Sequence, residues 1–179
     1  KISSGRLDFE LETADLSELV AESLRANATA HQRFGLQINC HGVDTPTYIE
    51  TDANRIIQVL TNLMSNAAKF SKPGGTVEIT VAKTNENVSV SVRDEGMGIA
   101  TEDQHKIFQR FADMANSDRA TKGGTGLGLS ICKAIVEGLG GTIDFVSKEG
   151  RGTTFTFTLP VKTRHSGPEN DFERLENVG

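Results

Sequence analysis

Apolar residues recur along the chain in two periods, and the alternation between them lays out the elements. Leu16, Leu19, Val20, Leu24 and Ala28 repeat at helical spacing, which predicts a helix over 15–31 with Asp15 capping its first turn and Gly35 closing it. Short strands are expected at 36–40 and 47–50, separated by Gly42 and a loop around Pro46. Ile56, Leu60, Leu63, Met64 and Ala67 then form one apolar stripe, predicting a helix over 52–70 that Pro73-Gly74-Gly75 stops. The period switches to two at Val77, Ile79 and Val81 and again at Val88, Val90 and Val92. With the turn at 85–87 between them, these runs read as a hairpin whose strands each bury one face. A short helix is expected around 102–111, followed by an aperiodic polar stretch over 112–123. A helix over 126–139 ends at Gly140-Gly141, and two strands follow at 142–147 and 153–159. The sum is a two-layer α+β domain, a mixed and mostly antiparallel sheet with its helices on one face.

Composition narrows the class without naming a chemistry. The 179 residues fit one domain with a core of its own. A net charge of -5 provides none of the concentrated Lys and Arg excess that a phosphate-backbone binder requires, so nucleic acid is not an expected partner. A diffusely acidic surface fits a cytoplasmic domain. The two cysteines, Cys40 and Cys132, both lie in apolar settings and build neither a disulfide framework nor a four-ligand zinc site. No apolar run reaches the roughly 20 residues that span a bilayer. Lys1 stands where a Met would begin a chain, which is what a piece of a longer protein shows.

Three constellations carry candidate chemistry. Asn62, Asn66 and Lys69 lie at spacings of four and three, so they share one helix face offset from the apolar stripe, and Gln58 extends it. Such a face is either a solvated surface or a site. Two amides are middling helix formers, whereas an Asn carbonyl is a hard oxygen ligand suited to magnesium and a Lys is a point charge for phosphate. Next, Asp94 ends a strand and is followed by Gly96 and Gly98. This is either a plain turn or a carboxylate placed to accept from an amine of a flat base, with both glycines free to take positive φ and let the base approach. Last, Gly123-Gly124-Thr125-Gly126-Leu127-Gly128-Leu129-Ser130 opens a helix, a combination that works as an anion site, as a hinge, or as both. Its spacing fits neither a P-loop nor a dinucleotide fingerprint. His31, His41, His105 and His165 share no metal-ligand spacing and are expected to be solvent-facing or incidental. Asp94 and Glu95 are adjacent, so they do not converge as a hydrolytic pair.

Taken together and in order, these segments resemble the histidine-kinase branch of the superfamily that also holds gyrase, Hsp90 and MutL. Asn62-Leu-Met-Ser-Asn66-Ala-Ala-Lys69-Phe70 is similar to its N box and Asp94-Glu-Gly96-Met-Gly98-Ile99 to its G1 box. Phe108-Gln-Arg110-Phe111 is similar to its F box and Gly124-Thr125-Gly126-Leu127-Gly128-Leu129 to its G2 box. The resemblance, which runs from about Gly5 to Pro160, implies a Bergerat-type two-layer sandwich that binds ATP and magnesium. By that resemblance Asn66 takes the metal, while Asn62, Lys69 and Arg110 support the phosphates and the transfer. Asp94, with Gly96, Gly98 and Ile99, reads adenine, and Thr153 or Thr154 supports Asp94 through water. The stretch 112–123 becomes a lid over the nucleotide, with Phe111, Lys122 and the G2 residues in contact with it. Residues 1–12 are then the end of a dimerisation helix, a linker and the first strand; 13–160 form the ATP-binding kinase domain; 161–179 form a linker or disordered tail.

The implied partners are a dimerisation domain bearing the acceptor histidine, in a homodimer, and a response regulator; a membrane enters only through other parts of the full-length protein. The hydrolysing relatives carry Glu four residues before the magnesium Asn, and this chain has Asn62 there. An amide cannot take a proton at neutral pH, so transfer to histidine is favoured over hydrolysis. No histidine here sits in a His-Glu/Asp-x-x-Thr/Asn-Pro acceptor box. A nucleotide-holding docking module and an ATPase of the Hsp90 and gyrase type are the alternatives.

Overall fold

The computed structural model describes residues 7–110 and 126–161. Seven strands run through them: β1 (Glu12–Asp15), β2 (Gln37–His41), β3 (Tyr48–Thr51), β4 (Thr76–Lys83), β5 (Asn87–Asp94), β6 (Thr142–Lys148) and β7 (Gly152–Pro160). The helices among the described residues are α1 (Leu16–Arg33), α2 (Ala53–Phe70), α3 (Thr101–Gln104) and α4 (Gly128–Gly138). β2, β4, β5, β7 and β6 make one sheet in that order, and β1 pairs with β3 in a separate ribbon. Only the β2–β4 pair is parallel; β4–β5, β5–β7 and β6–β7 are antiparallel. The mixed, mostly antiparallel sheet is as expected.

Alternation along the strands selects the covered face. Val77, Ile79, Val88, Val90, Val92, Phe155, Phe157 and Leu159 are buried beneath the helices, while their neighbours Thr80, Ser89, Ser91, Thr156 and Thr158 stay half-exposed on the other side. α2 lies centrally, against α1, α4 and β5, with Ile56, Val59, Leu60, Leu63 and Met64 buried to within 1 %. Its start is fixed by Asp52, whose carboxylate accepts from Arg55 N at 3.1 Å and from Glu10 N at 3.1 Å. Asp15 caps α1 by accepting from Ser17 N at 3.0 Å, and it also accepts from Thr47 N at 2.8 Å, tying the two-stranded ribbon to the helix.

Two expectations are corrected here. The helix around 102–111 is a single four-residue turn, α3. After it, Lys106 N donates to Asp103 O and Gln109 N to Lys106 O, the tighter i to i+3 pattern, which sinks Ile107 into the core and sets Phe108 edge-on to Phe145 and Phe155. Phe111 lies outside the described residues.

His31 is not solvent-facing: it is 3 % exposed, on the last turn of α1 facing α2. Burial holds its imidazole below the ordinary value of 6.5, against a smaller opposing effect of a hydrogen bond to the Met64 backbone. The unfolded chain therefore binds the proton more readily, and the stability His31 contributes is present above 6.5 and lost as pH falls below that value towards the lowered folded one. Melting temperature should drop between pH 7 and 5 more steeply in the parent than in His31→Gln, which does not titrate; equal slopes would show that the buried imidazole is not a source of acid sensitivity. His41 and His105 are exposed, as expected, and His165 lies outside the described residues.

Candidate functional site

The polar face of α2 connects two distant parts of the fold. Gln58, Asn62, Asn66 and Lys69 are all half-buried along it, beside the fully buried stripe. At its middle, Asn62 Nδ2 donates to Gly128 O at 3.5 Å, so the N box meets the first turn of α4. At its end, Phe70 O accepts from Met97 N at 3.3 Å, which fastens the helix to the loop after β5.

Asp94 is the last residue of β5 and only 6 % exposed. Its Oδ1 accepts from Gly96 N at 2.8 Å, bending the loop back over the carboxylate. The two glycines of this loop serve different ends. Gly98 has φ +70, as expected, and a Cβ there would lie 2.1 Å from Lys148 O. Gly96 does not take positive φ; its bareness is required by proximity, since a Cβ would stand 2.0 Å from Phe70 O. Ile99 is fully buried, and its N–H donates to Ser147 Oγ at 2.9 Å.

The register of β5 and β7 separates the two threonines. Thr153 is opposite Asp94 and buried, so it shares the carboxylate's face. Thr154 is opposite Arg93, and its side chain lies on the other face, away from Asp94. Thr153 Oγ1 is 2.9 Å from Ser147 Oγ, which also donates to Gly152 O at 3.1 Å. Ser147 was missed from sequence, as was the Phe70 carbonyl. A serine near the end of a predicted strand carries no signal until the β6–β7 register sets it beside Thr153.

The start of α4 lacks a side-chain cap. Gly126 has φ +66, Leu127 is the N-cap, and among the described residues no side chain caps the first-turn amides; Ser130 Oγ instead donates backwards to Leu127 O at 2.9 Å. N–H groups of a first helical turn without a side-chain cap among the described residues suit an anion. Gly128 and Leu129 open this turn, half-buried beside Asn62. Arg110 is exposed at the edge of the described chain. Phe111, Lys122, Gly124, Thr125 and the proposed lid at 112–123 lie outside the described residues.

No group of three His, Cys, Asp or Glu that could hold a metal ion occurs among the described residues. The donor set still fits magnesium, which keeps its waters and phosphate oxygens and asks the protein for one or two hard oxygens such as a half-buried Asn carbonyl. Behind Asn62, Cys132 is completely buried, and burial pushes its thiol up to about 12, so it stays protonated. No helix of the described residues is long and apolar enough to cross a membrane.

The chain is similar to known proteins in sequence and fold. Residues 51–163 match the family of histidine kinase-, DNA gyrase B- and HSP90-like ATPases. The chain is 47 % identical over 121 residues to the sensor histidine kinase WalK of Bacillus subtilis, a match covering 66 % of this chain and 20 % of that protein. It is 41 % identical over 155 residues to the adaptive-response sensory kinase SasA of Prochlorococcus marinus, covering 86 % of this chain and 40 % of the relative. The chain thus spans between a fifth and two fifths of the length of these relatives. Among solved structures, the nucleotide-free catalytic domain of histidine kinase ThkA superposes with a TM-score of 0.75 at 31 % identity, covering 86 % of this chain and 99 % of that one. The chain therefore belongs to the histidine kinase-, DNA gyrase B- and HSP90-like ATPase family, and within it is an ATP-binding catalytic domain of the sensor histidine kinase type.

Proposed function

We propose that residues 13–160 bind Mg-ATP across the polar face of α2 and donate its γ-phosphoryl group to a histidine on a separate dimerisation domain. The observation that carries this reading is that α2 meets the first turn of α4 through Asn62, whose Nδ2 donates to Gly128 O, and the Asp94 loop through Phe70 O. Eight residues of helix separate those points, about 12 Å along the axis, the scale of an extended nucleoside triphosphate. Adenine then lies at Asp94, its exocyclic amine donating to the carboxylate, with Thr153 in place to hold a bridging water. Gly96, Gly98 and Ile99 form the floor of that end. From there the phosphates run along the helix face past Lys69 to Asn62 and the amides of Gly128 and Leu129, with Gly126 and Leu127 shaping the approach.

Asn66 would hold the magnesium ion, which when bound neutralises charge on the phosphate oxygens. The domain's own contribution is positioning and preorganised donors. As the histidine nitrogen bonds to the γ-phosphorus, its bond to the bridging oxygen breaks and ADP leaves. Asn62 has no proton-accepting capacity at neutral pH, so nothing at its position activates water and the γ-phosphoryl is kept for the protein acceptor. In this reading the acceptor domain forms a homodimer, a response regulator receives the phosphoryl group, the reaction is cytoplasmic, and 161–179 act as a linker.

The test uses γ-labelled ATP. The chain alone should bind nucleotide and remain unlabelled, while adding a dimerisation domain bearing a His-Glu/Asp-x-x-Thr/Asn-Pro box should yield acid-labile phosphohistidine on that domain. Label on this chain alone, or steady phosphate release with no phosphohistidine, would overturn the assignment.

A further inference from the structure

The loop that follows Asp94 is fastened at two residues, in two different ways. At Met97 the partners are main chain: its N–H donates to Phe70 O at 3.3 Å, and its carbonyl accepts from Gly150 N at 2.7 Å. At Ile99 they are side chains. Ile99 N–H donates to Ser147 Oγ at 2.9 Å, and Gln104 Nε2 donates to Ile99 O at 3.1 Å and to Ser147 O at 3.4 Å. Both backbone groups of this fully buried residue are thus taken, one from β6 and one from the last residue of α3. Ser147 and Gln104 themselves are half-buried and lie outside the four motif segments. The two carbonyls that Gln104 meets can only accept, so the nitrogen is the end of the amide that faces them.

Ser147 also reaches the other side of the adenine end. A hydroxyl has one proton and two acceptor positions, and those of Ser147 meet Ile99 N, Gly152 O at 3.1 Å and Thr153 Oγ1 at 2.9 Å. Thr153 is the residue opposite Asp94 across the β5–β7 pair. One oxygen therefore joins the residue placed beneath the base to the residue placed beside the carboxylate. We propose that Ser147 and Gln104 are positioning residues for adenine recognition: they fix the end of the 94–99 loop against β6, so that Asp94, Thr153 and Ile99 keep one spacing. Neither touches the base; Ser147 acts through Ile99 and Thr153, and Gln104 through Ile99. This rests on the nucleotide reading above for what the loop receives, though not for the grip on Ile99. Removing either side chain leaves a buried backbone group of Ile99 without its partner, which loosens the loop where the base is to be read.

Two measurements test it. In the nucleotide-free chain the backbone amide of Ile99 should exchange slowly with solvent. Ser147→Ala should accelerate that exchange by about tenfold, and Ser147→Thr, which keeps the hydroxyl, should restore it. In calorimetry with Mg-ADP, Ser147→Ala and Gln104→Met should each weaken binding by about three- to tenfold in the parent, and by less than about twofold where Asp94 is already replaced by Ala. Ser147→Thr should bind within about twofold of the parent. A role in stability alone would give the same change in both backgrounds. Gln104→Met carries the test if Ser147→Ala does not fold. Unchanged exchange at Ile99, parent-like affinity of both variants, an equal loss in both backgrounds, or no rescue by threonine overturns the positioning role. Parent-like Mg-ADP affinity of Asp94→Ala itself overturns the adenine reading instead, and leaves the protected Ile99 amide as a property of the loop alone.

Discussion

Asp94→Ala should weaken ADP and ATP binding by about 1.5–3 kcal/mol, the usual size of a hydrogen bond to a charged group. The carboxylate is 6 % exposed at the end of β5, and its Oδ1 already accepts from Gly96 N at 2.8 Å, so the side chain is oriented before any ligand arrives. Removing it has two consequences: in the proposed binding mode the adenine amine loses its acceptor, and the buried Gly96 N–H loses its partner. Asp94→Asn separates them. The asparagine oxygen can still accept from Gly96, keeping the loop in place, but the other position becomes a donor facing the donor on the base. The Asn variant should therefore melt close to the parent while binding nucleotide nearly as poorly as the Ala variant. Parent-like affinity of Asp94→Ala by calorimetry would show that the base lies elsewhere.

The parts of this site that were legible in the sequence are those where a local period does the work. Strict alternation at Val77, Ile79 and Val81 and at Val88, Val90 and Val92 marks a half-buried hairpin, and the hairpin places Asp94 at a strand end. The spacing of Asn62, Asn66 and Lys69 gives one helix face, and the structure keeps it half-buried along α2. What was hidden depends on register and tertiary contact. Thr153 and Thr154 are equivalent as neighbours in sequence and become opposite faces only once β7 pairs with β5. Gly96 and Gly98 look alike as turn glycines, yet one answers to backbone angle and the other to a carbonyl belonging to residue 70. His31 ends an amphipathic helix where exposure is the usual outcome, and it is buried because α1 packs along α2 at that point. The short α3 shows the same limit: a helix was expected over 102–111, but Phe108 packs edge-on to Phe145 and Phe155 and the segment after Gln104 runs in tighter turns.

The Gly96 contact is the more severe test, because it joins the two halves of the site. A methyl at Gly96 would lie 2.0 Å from Phe70 O, 2.6 Å from Phe70 C and 2.8 Å from Asp94 Oδ1, and backbone cannot turn aside as a flexible side chain does. Relieving the overlap must lift the loop from the end of α2, which breaks the Met97 N to Phe70 O bond and pulls Gly96 N from Asp94. Gly96→Ala should lose about 3–5 kcal/mol of stability, at the upper end for a single substitution. Gly74 provides the contrast within the same protein: its φ is +73 but a Cβ there meets nothing within 4 Å, so Gly74→Ala should cost only about 1–2 kcal/mol of left-handed strain. Urea titrations of the two variants should rank them in that order, and any folded Gly96→Ala should have lost adenine recognition along with its stability. If it unfolds at the parent's urea concentration and binds ADP normally, the carbonyl of Phe70 does not hold the adenine loop, and α2 contributes to the site only through its polar face.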